Sequence, residues 1–161
     1  MEIYLMQHGQ ALPKDQDPEE GLSPEGEAEV RLTARAFKVF HVDFDAILSS
    51  PKKRSKQTAA IVAEEIGFPT ENIQETEKVK AKTPAEETVR ALADLSGGKR
   101  VLVAGHLPSV AEVASYLLTE GSKANIAFDN GGCCCIEVDE LPTHSGRLQC
   151  LVKPSQIEVL M

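Results

Sequence analysis

The chain has 161 residues, 42% hydrophobic and 26% charged, the composition of a globular protein and not of a disordered or fibrous one. Seventeen basic residues against twenty-five acidic ones leave a formal charge of -8, whose field opposes general nucleic-acid binding and anionic membrane surfaces but permits a local basic pocket. A chain of this size buries roughly 70% of its unfolded surface in one core, so a single domain over 1–161 is expected. Its start lacks a signal-peptide pattern and no run of about 18 apolar residues occurs, which favours a cytoplasmic protein with no membrane partner.

Glu2 to Met6 reads as a buried strand that stops abruptly at Gln7-His8-Gly9. Gln10 to Gly21, with two prolines and several acids, reads as a loop. Ser23 then supplies an N-cap and Pro24 the first helical position, with Val30, Leu32, Ala34, Phe37 and Phe40 as an apolar face for a helix to about Phe40. Ala46-Ile47-Leu48 followed by Ser49-Ser50-Pro51 repeats that grammar, with a serine cap, a proline start and a helix from Lys52 to about Ile66, closed by Gly67-Phe68-Pro69. Ile73 to Val79 is expected as a short strand and Ala85 to Leu95 as a helix before Gly97-Gly98. Val101 to Ala104 is the third strong strand, leading through Gly105-His106-Leu107 into a helix begun at Pro108, with Val110, Val113, Ala114, Leu117 and Leu118 inward. Asn125 to Phe128, Cys133 to Val138 and Arg147 to Val152 suit outer strands of the same sheet. Alternating strands and helices predict an α/β fold, a three-layer sandwich with a mainly parallel central sheet.

In an open parallel sheet, ligands bind beyond the carboxyl ends of the strands. The first such end carries His8 and Gly9, the second leads to Arg54 in the first turn or so of its helix, and the third carries Gly105 and His106 just before a helix N-terminus. Taken singly, each of these is more often structural or on a solvated face; their shared placement reverses that reading. Two imidazoles, a guanidinium and unpaired helix N–H groups suit a small dianion, and the ligand inferred is phosphate. No cofactor and no metal are implied, since His8 and His106 come without carboxylate or thiolate partners at ligand spacing. Cys133, Cys134, Cys135 and Cys150 read as small buried hydrophobes in a reducing compartment. His41 and His144 fall in turns and receive no role.

Gln7-His8-Gly9, then Ser50-Pro51-Lys52-Lys53-Arg54-Ser55-Lys56-Gln57-Thr58, then Gly105-His106-Leu107-Pro108 resemble, in order and spacing, the histidine phosphatase superfamily. This is also called the phosphoglycerate mutase-like fold, and within it the resemblance is to the small SixA-like phosphohistidine phosphatases. Leu22-Ser23-Pro24-Glu25-Gly26 stands where that family has its loop-to-helix element. The resemblance implies a phosphatase in which His8 is the nucleophile and is transiently phosphorylated, Arg54 and His106 are catalytic, and phosphate lies against Gln7, Gly9, Arg54, His106 and Leu107. One departure stands out: the family signature is Arg-His-Gly, and here the arginine is Gln7. Glutamine donates hydrogen bonds but brings no charge and no bidentate fork. Losing such a contact, worth about 1.5–3 kcal/mol, corresponds to roughly a tenfold to hundredfold penalty.

Glu86 and Glu87, after Thr83-Pro84, are the candidates for a general acid, against the plain reading of acids that stabilise a helix start. Breaking a P–N bond needs little acid help, and the SixA-like members are thought to lack that acid, which favours a phosphohistidine-containing protein as substrate. An open site, bordered by Pro13 to Glu20 and Lys78 to Thr83, suits such a partner. The rivals are a binding module that has lost catalysis through Gln7, and a phosphomonoesterase acting on a small metabolite.

Overall fold

A computed structural model of the chain describes residues 1–95 and 97–161. In chain order it forms β1 (Glu2–Gln7), α1 (Pro24–Val39), β2 (Ala46–Ser49), α2 (Lys53–Ile66), β3 (Gln74–Glu75), α3 (Ala85–Ala93), β4 (Arg100–Gly105), α4 (Ser109–Leu118), β5 (Cys133–Glu137), β6 (Arg147–Val152) and α5 (Pro154–Leu160). Among the described residues these strands make one sheet in the order β3-β2-β4-β1-β5-β6. β3, β2, β4 and β1 run parallel, whereas β5 is antiparallel to β1 and β6 to β5. The fold is the expected α/β sandwich of the phosphoglycerate mutase-like type, with the outer strands supplying the mixed edge.

The strands read as continuous apolar runs because both faces are covered. Ile3, Leu5, Leu48, Val101, Val103 and Cys134 face α3 and α4, where Val89, Leu92, Val113 and Leu117 meet them. Tyr4, Met6, Ile47, Leu102, Cys133 and Cys135 face α1 and α2, against Val30, Phe37, Ala59 and Val62. Each fully buried Val, Leu or Ile contributes on the order of 1.5–3 kcal/mol, so this two-sided core is the main term holding the strand ends in register. The three consecutive cysteines are buried on alternate faces as expected; Cys150 is exposed, a correction, because β6 is the sheet's outer strand.

Other expectations shift at the edges. Ile73 to Val79 is not one strand: pairing ends after Glu75, and Thr76 accepts the Lys78 N–H at 3.2 Å to cap a single 3-10 turn. Asn125 to Phe128 has no strand pairing, although Phe128 is buried in the core. Phe40 is the C-cap of α1 and exposed instead of part of its apolar face. The closing helix α5 was not expected; it packs against α1 and buries Ile157. Gly67 takes the left-handed conformation, φ 79°, that lets it close α2. Among the described residues no helix is long and apolar enough to cross a membrane.

Candidate active site

β1 and β4 are neighbours in parallel register, with Gln7 opposite Gly105, so the residues that follow, His8 and His106, emerge side by side at the carboxyl edge of the sheet. Their ring centroids are 5.1 Å apart. Two hydroxyls on one face of α2 join that helix to both strand ends. Ser55 Oγ donates to the Ala104 carbonyl at 2.6 Å and accepts the Ser50 N–H at 3.1 Å. Thr58 Oγ1 donates to the Arg54 carbonyl at 2.8 Å and accepts the Gly9 N–H at 3.3 Å. Arg54, just before one hydroxyl and a turn before the other, is thereby delivered to the pair of imidazoles.

The hydrogen bonds of His8 settle its tautomer. Its Nδ1 lies 2.6 Å from the Gly9 carbonyl, which can only accept, so Nδ1 carries the proton and Nε2 the lone pair. Arg54 Nε donates to that Nε2 at 3.2 Å, and the Gln7 amide approaches it at 3.4 Å. Burial lowers the His8 pKa; the Gly9 carbonyl works the other way, and the Arg54 charge adds to the lowering. His8 is thus a neutral imidazole with its nucleophilic nitrogen turned toward Arg54.

His106 is nearly fully buried and held differently. Ser50 Oγ lies 2.6 Å from its Nε2 and accepts the Lys52 N–H at 3.3 Å; among the described residues Nε2 is the one acceptor the hydroxyl proton meets, so that proton is used only when it lies on Nε2. Nδ1 is then the protonated nitrogen, and it is without a partner, a buried donor awaiting an acceptor. Burial above all, then the charges of His8, Arg54, Lys52 and Lys80, push the His106 pKa down to about 3. His106 is therefore neutral in the ligand-free protein; a phosphoryl dianion against Nδ1 would favour the charged form and raise that value. Ser50, expected as a helix cap, is instead the residue that sets this tautomer, and the N-cap of α2 is Lys52 with no side-chain cap bond.

Gln7 is buried beside His8, and its Oε1 has no partner either. Gly9 is needed for a reason other than room for a ligand: a Cβ there would overlap the Gly26 carbonyl and come within 2.9 Å of Val30 Cγ2, so the glycine permits close packing on α1. Leu107 is exposed next to His106, at the approach to α4. Glu20 and Lys80, from the two segments expected to border the site, reach it electrostatically: Glu20 pairs with Arg54 and Lys80 acts on His106. The candidate acids do not fit their role. Glu87 accepts from Lys78 Nζ at 2.7 Å, which holds its carboxyl below the usual range and so ionised, and Glu86 is exposed. His144 Nδ1 donates to the Tyr116 carbonyl at 2.6 Å, a structural tie. Among the described residues, no group of three or more His, Cys, Asp or Glu could hold a metal.

Sequence reasoning missed Ser50, Ser55 and Thr58 as site-building residues. The signal was available in part, since Ser55 and Thr58 are three apart and share a helix face. Nothing local reveals that Ser50 meets an imidazole from a strand far along the chain.

Residues 3–81 match the family model described as histidine phosphatase superfamily (branch 1). An uncharacterized protein of Picosynechococcus sp. (strain PCC 7002) is 36% identical over 66 residues, a stretch that spans 39% of this chain and only 40% of that relative. The SixA protein histidine phosphatase solved with tungstate superposes with a TM-score of 0.84 at 24% identity, covering 98% of this chain and 99% of the other. A SixA-type protein from Agrobacterium tumefaciens gives 0.77 at 21% identity, covering 95% and 97%. A phosphoserine phosphatase mutant from Entamoeba histolytica, solved with phosphoserine, gives 0.69 at 14%, covering 93% and 95%. At these identities the structural likeness speaks for the fold. The sequence match carries Gln7-His8-Gly9 and the Arg54 segment, and the superposition extends it past His106. Over residues 3–81 the chain matches the histidine phosphatase superfamily model, and throughout its length it has the fold of the SixA structures it superposes on.

Proposed function

We propose that the protein is a phosphatase that removes the phosphoryl group from phosphohistidine on a signalling or phosphotransfer protein, through a phospho-His8 intermediate. The observation that carries this reading is the pairing of a lone pair on His8 Nε2 with the Arg54 Nε–H at 3.2 Å, beside the unpartnered Nδ1 of His106. These are a nucleophile and two donors brought together at one edge of the sheet, the two imidazole centroids 5.1 Å apart.

In the first step His8 Nε2 gives its lone pair to phosphorus as the P–N bond of the substrate breaks, and the bonding electrons leave with the substrate imidazole. Arg54 binds equatorial oxygens and the His106 Nδ1–H donates to another, so charge spread over the phosphoryl group meets fixed donors. Phospho-His8 retains its Nδ1 proton on the Gly9 carbonyl, which keeps the ring cationic and a good leaving group. Water then forms the new P–O bond, the P–Nε2 bond breaks, and inorganic phosphate departs with His8 restored. Support for a nitrogen leaving group comes from Glu87, whose carboxylate is held ionised by Lys78 and so has no proton to give an alkoxide. The likeness to a SixA protein histidine phosphatase that binds tungstate, a tetrahedral oxyanion, supports the same ligand shape here.

The test is incubation with a phosphohistidine-bearing protein, following phosphate release and 32P label on the enzyme. Release that disappears in His8→Ala, with acid-labile label trapped on the wild type, is the expected result; no release and no label would leave the binding-module reading motivated by Gln7.

A further inference from the structure

The segment between Leu12 and Gly21 closes on itself, with the Leu12 N–H donating to the Gly21 carbonyl at 2.7 Å. The Asp17 carboxylate holds it in place, accepting the N–H groups of Glu19 at 3.0 Å and Gly21 at 2.9 Å and the Lys53 ammonium at 2.8 Å. Glu20 sits in the left-handed region, φ 52°, unusual for a residue with a side chain. From this pinned position its Oε2 lies 3.6 Å from Arg54 Nη1, with the two side chains 35% and 20% exposed. Arg54 therefore bridges two partners, the nucleophilic nitrogen of His8 through Nε and the Glu20 carboxylate through Nη1.

Charge around the nucleophile follows from that bridge. Gln7 contributes none, His8 and His106 are neutral, and Lys53 is spent on Asp17 and Glu19. What remains against His8 is one guanidinium offset by one carboxylate, with Lys52 and Lys80 acting farther out on His106. A phosphoester whose remainder is itself anionic brings further negative charge toward Glu20. A phosphoramidate does not, because its nitrogen leaving group carries a proton and departs neutral from a cationic form. We infer that Glu20 is a specificity-determining residue that sets the site against phosphoesters with an anionic remainder and toward phosphoramidates whose ring is cationic while bonded to phosphorus. This rests on the phosphatase reading of the His8 site.

The experiment compares wild type, Glu20→Gln and Glu20→Asp in the whole chain, by calorimetric binding of inorganic phosphate and by the ratio of kcat/KM on a phosphohistidine protein to that on phosphoglycolate, a phosphoester whose remainder is a carboxylate. Removing a like charge should tighten phosphate binding about tenfold in Glu20→Gln and move the ratio about tenfold toward phosphoglycolate, both effects shrinking at high salt, while Glu20→Asp stays near wild type. Phosphate affinity and ratio both unchanged within about twofold in Glu20→Gln, or equally changed in Glu20→Asp, would overturn the assignment. Phosphate binding needs no turnover, so an enzyme silent on phosphohistidine refutes the phosphatase reading while the affinity shift still judges Glu20.

Discussion

The ends of β1 and β4 look alike in sequence, each an apolar strand running into a histidine, yet the structure turns the two imidazoles to opposite uses. At the end of β1, the proton is drawn to Nδ1 by the Gly9 carbonyl and donors from Arg54 and Gln7 gather at Nε2. At the end of β4, Ser50 takes Nε2 and the protonated Nδ1 is left bare. One ring offers an electron pair and the other a hydrogen. Two identical side chains acquire different chemistry from the first polar atom each one meets, which is how neutral imidazoles divide nucleophilic and anion-stabilising work.

The asymmetry is broken most severely by His8→Ala, which should lower phosphohistidine turnover by more than about a thousandfold because no other group in the site carries a free lone pair at that place. The His106→Ala loss is expected to be smaller, about a hundredfold, corresponding to one strong donor to the developing charge. Single-turnover assays on both variants check the order; equal losses would mean that the rings share one role.

Ser50→Ala sharpens the comparison further. With the hydroxyl gone the tautomer of His106 is no longer imposed, and kcat should fall roughly tenfold, with Ser50→Thr recovering most of it. A normal kcat in Ser50→Ala, with the proton on Nδ1 by NMR, would show that burial alone chooses the tautomer. Gly9→Ala tests the β1 end from below. The forced overlap with Gly26 and Val30 should cost about 1–3 kcal/mol in denaturant unfolding, seen as lost stability more than lost phosphate affinity.

The smallest expected effect is in pH. Both imidazoles titrate below the ordinary 6.5, His106 at about 3, so on acidification the unfolded chain takes up protons that the folded chain refuses. Their contribution is fully present above pH 6.5 and is lost as pH falls from there toward about 3. Thermal melts of wild type and His106→Gln between about pH 7 and 5 should show the steeper decline in the wild type; parallel curves would contradict the buried neutral ring. The lowered His8 value likewise places the acid limb of kcat/KM below pH 6.5.

The contrast between centre and edge shows how much was readable in advance. β1, β2 and β4 and the helices that follow them were legible because both faces of the sheet are buried and the apolar pattern agrees with the fold, although only α1 has the serine cap and proline start that were expected. Ile73 to Val79 misread because its apolar residues serve a turn, and Asn125 to Phe128 because Phe128 fills the core without any strand pairing. α5 escaped notice because its seven residues carry too short an apolar pattern, and its burial depends on α1.

For the site, sequence alone determined which groups stand at the strand ends: His8, Arg54 and His106, with the uncharged Gln7 in place of an arginine. The placement follows from hydrophobic periodicity and from residues that punctuate strands and helices, which act over a few positions; that Gln7 stands where an arginine is usual is what the family resemblance implies. Tertiary structure decided the protonation of each ring, the pairing of Arg54 with Glu20 and the service of Ser50 to His106. Those depend on burial and on hydrogen bonds between segments distant in the chain, and a proton's position on an imidazole is set by its nearest neighbours in space.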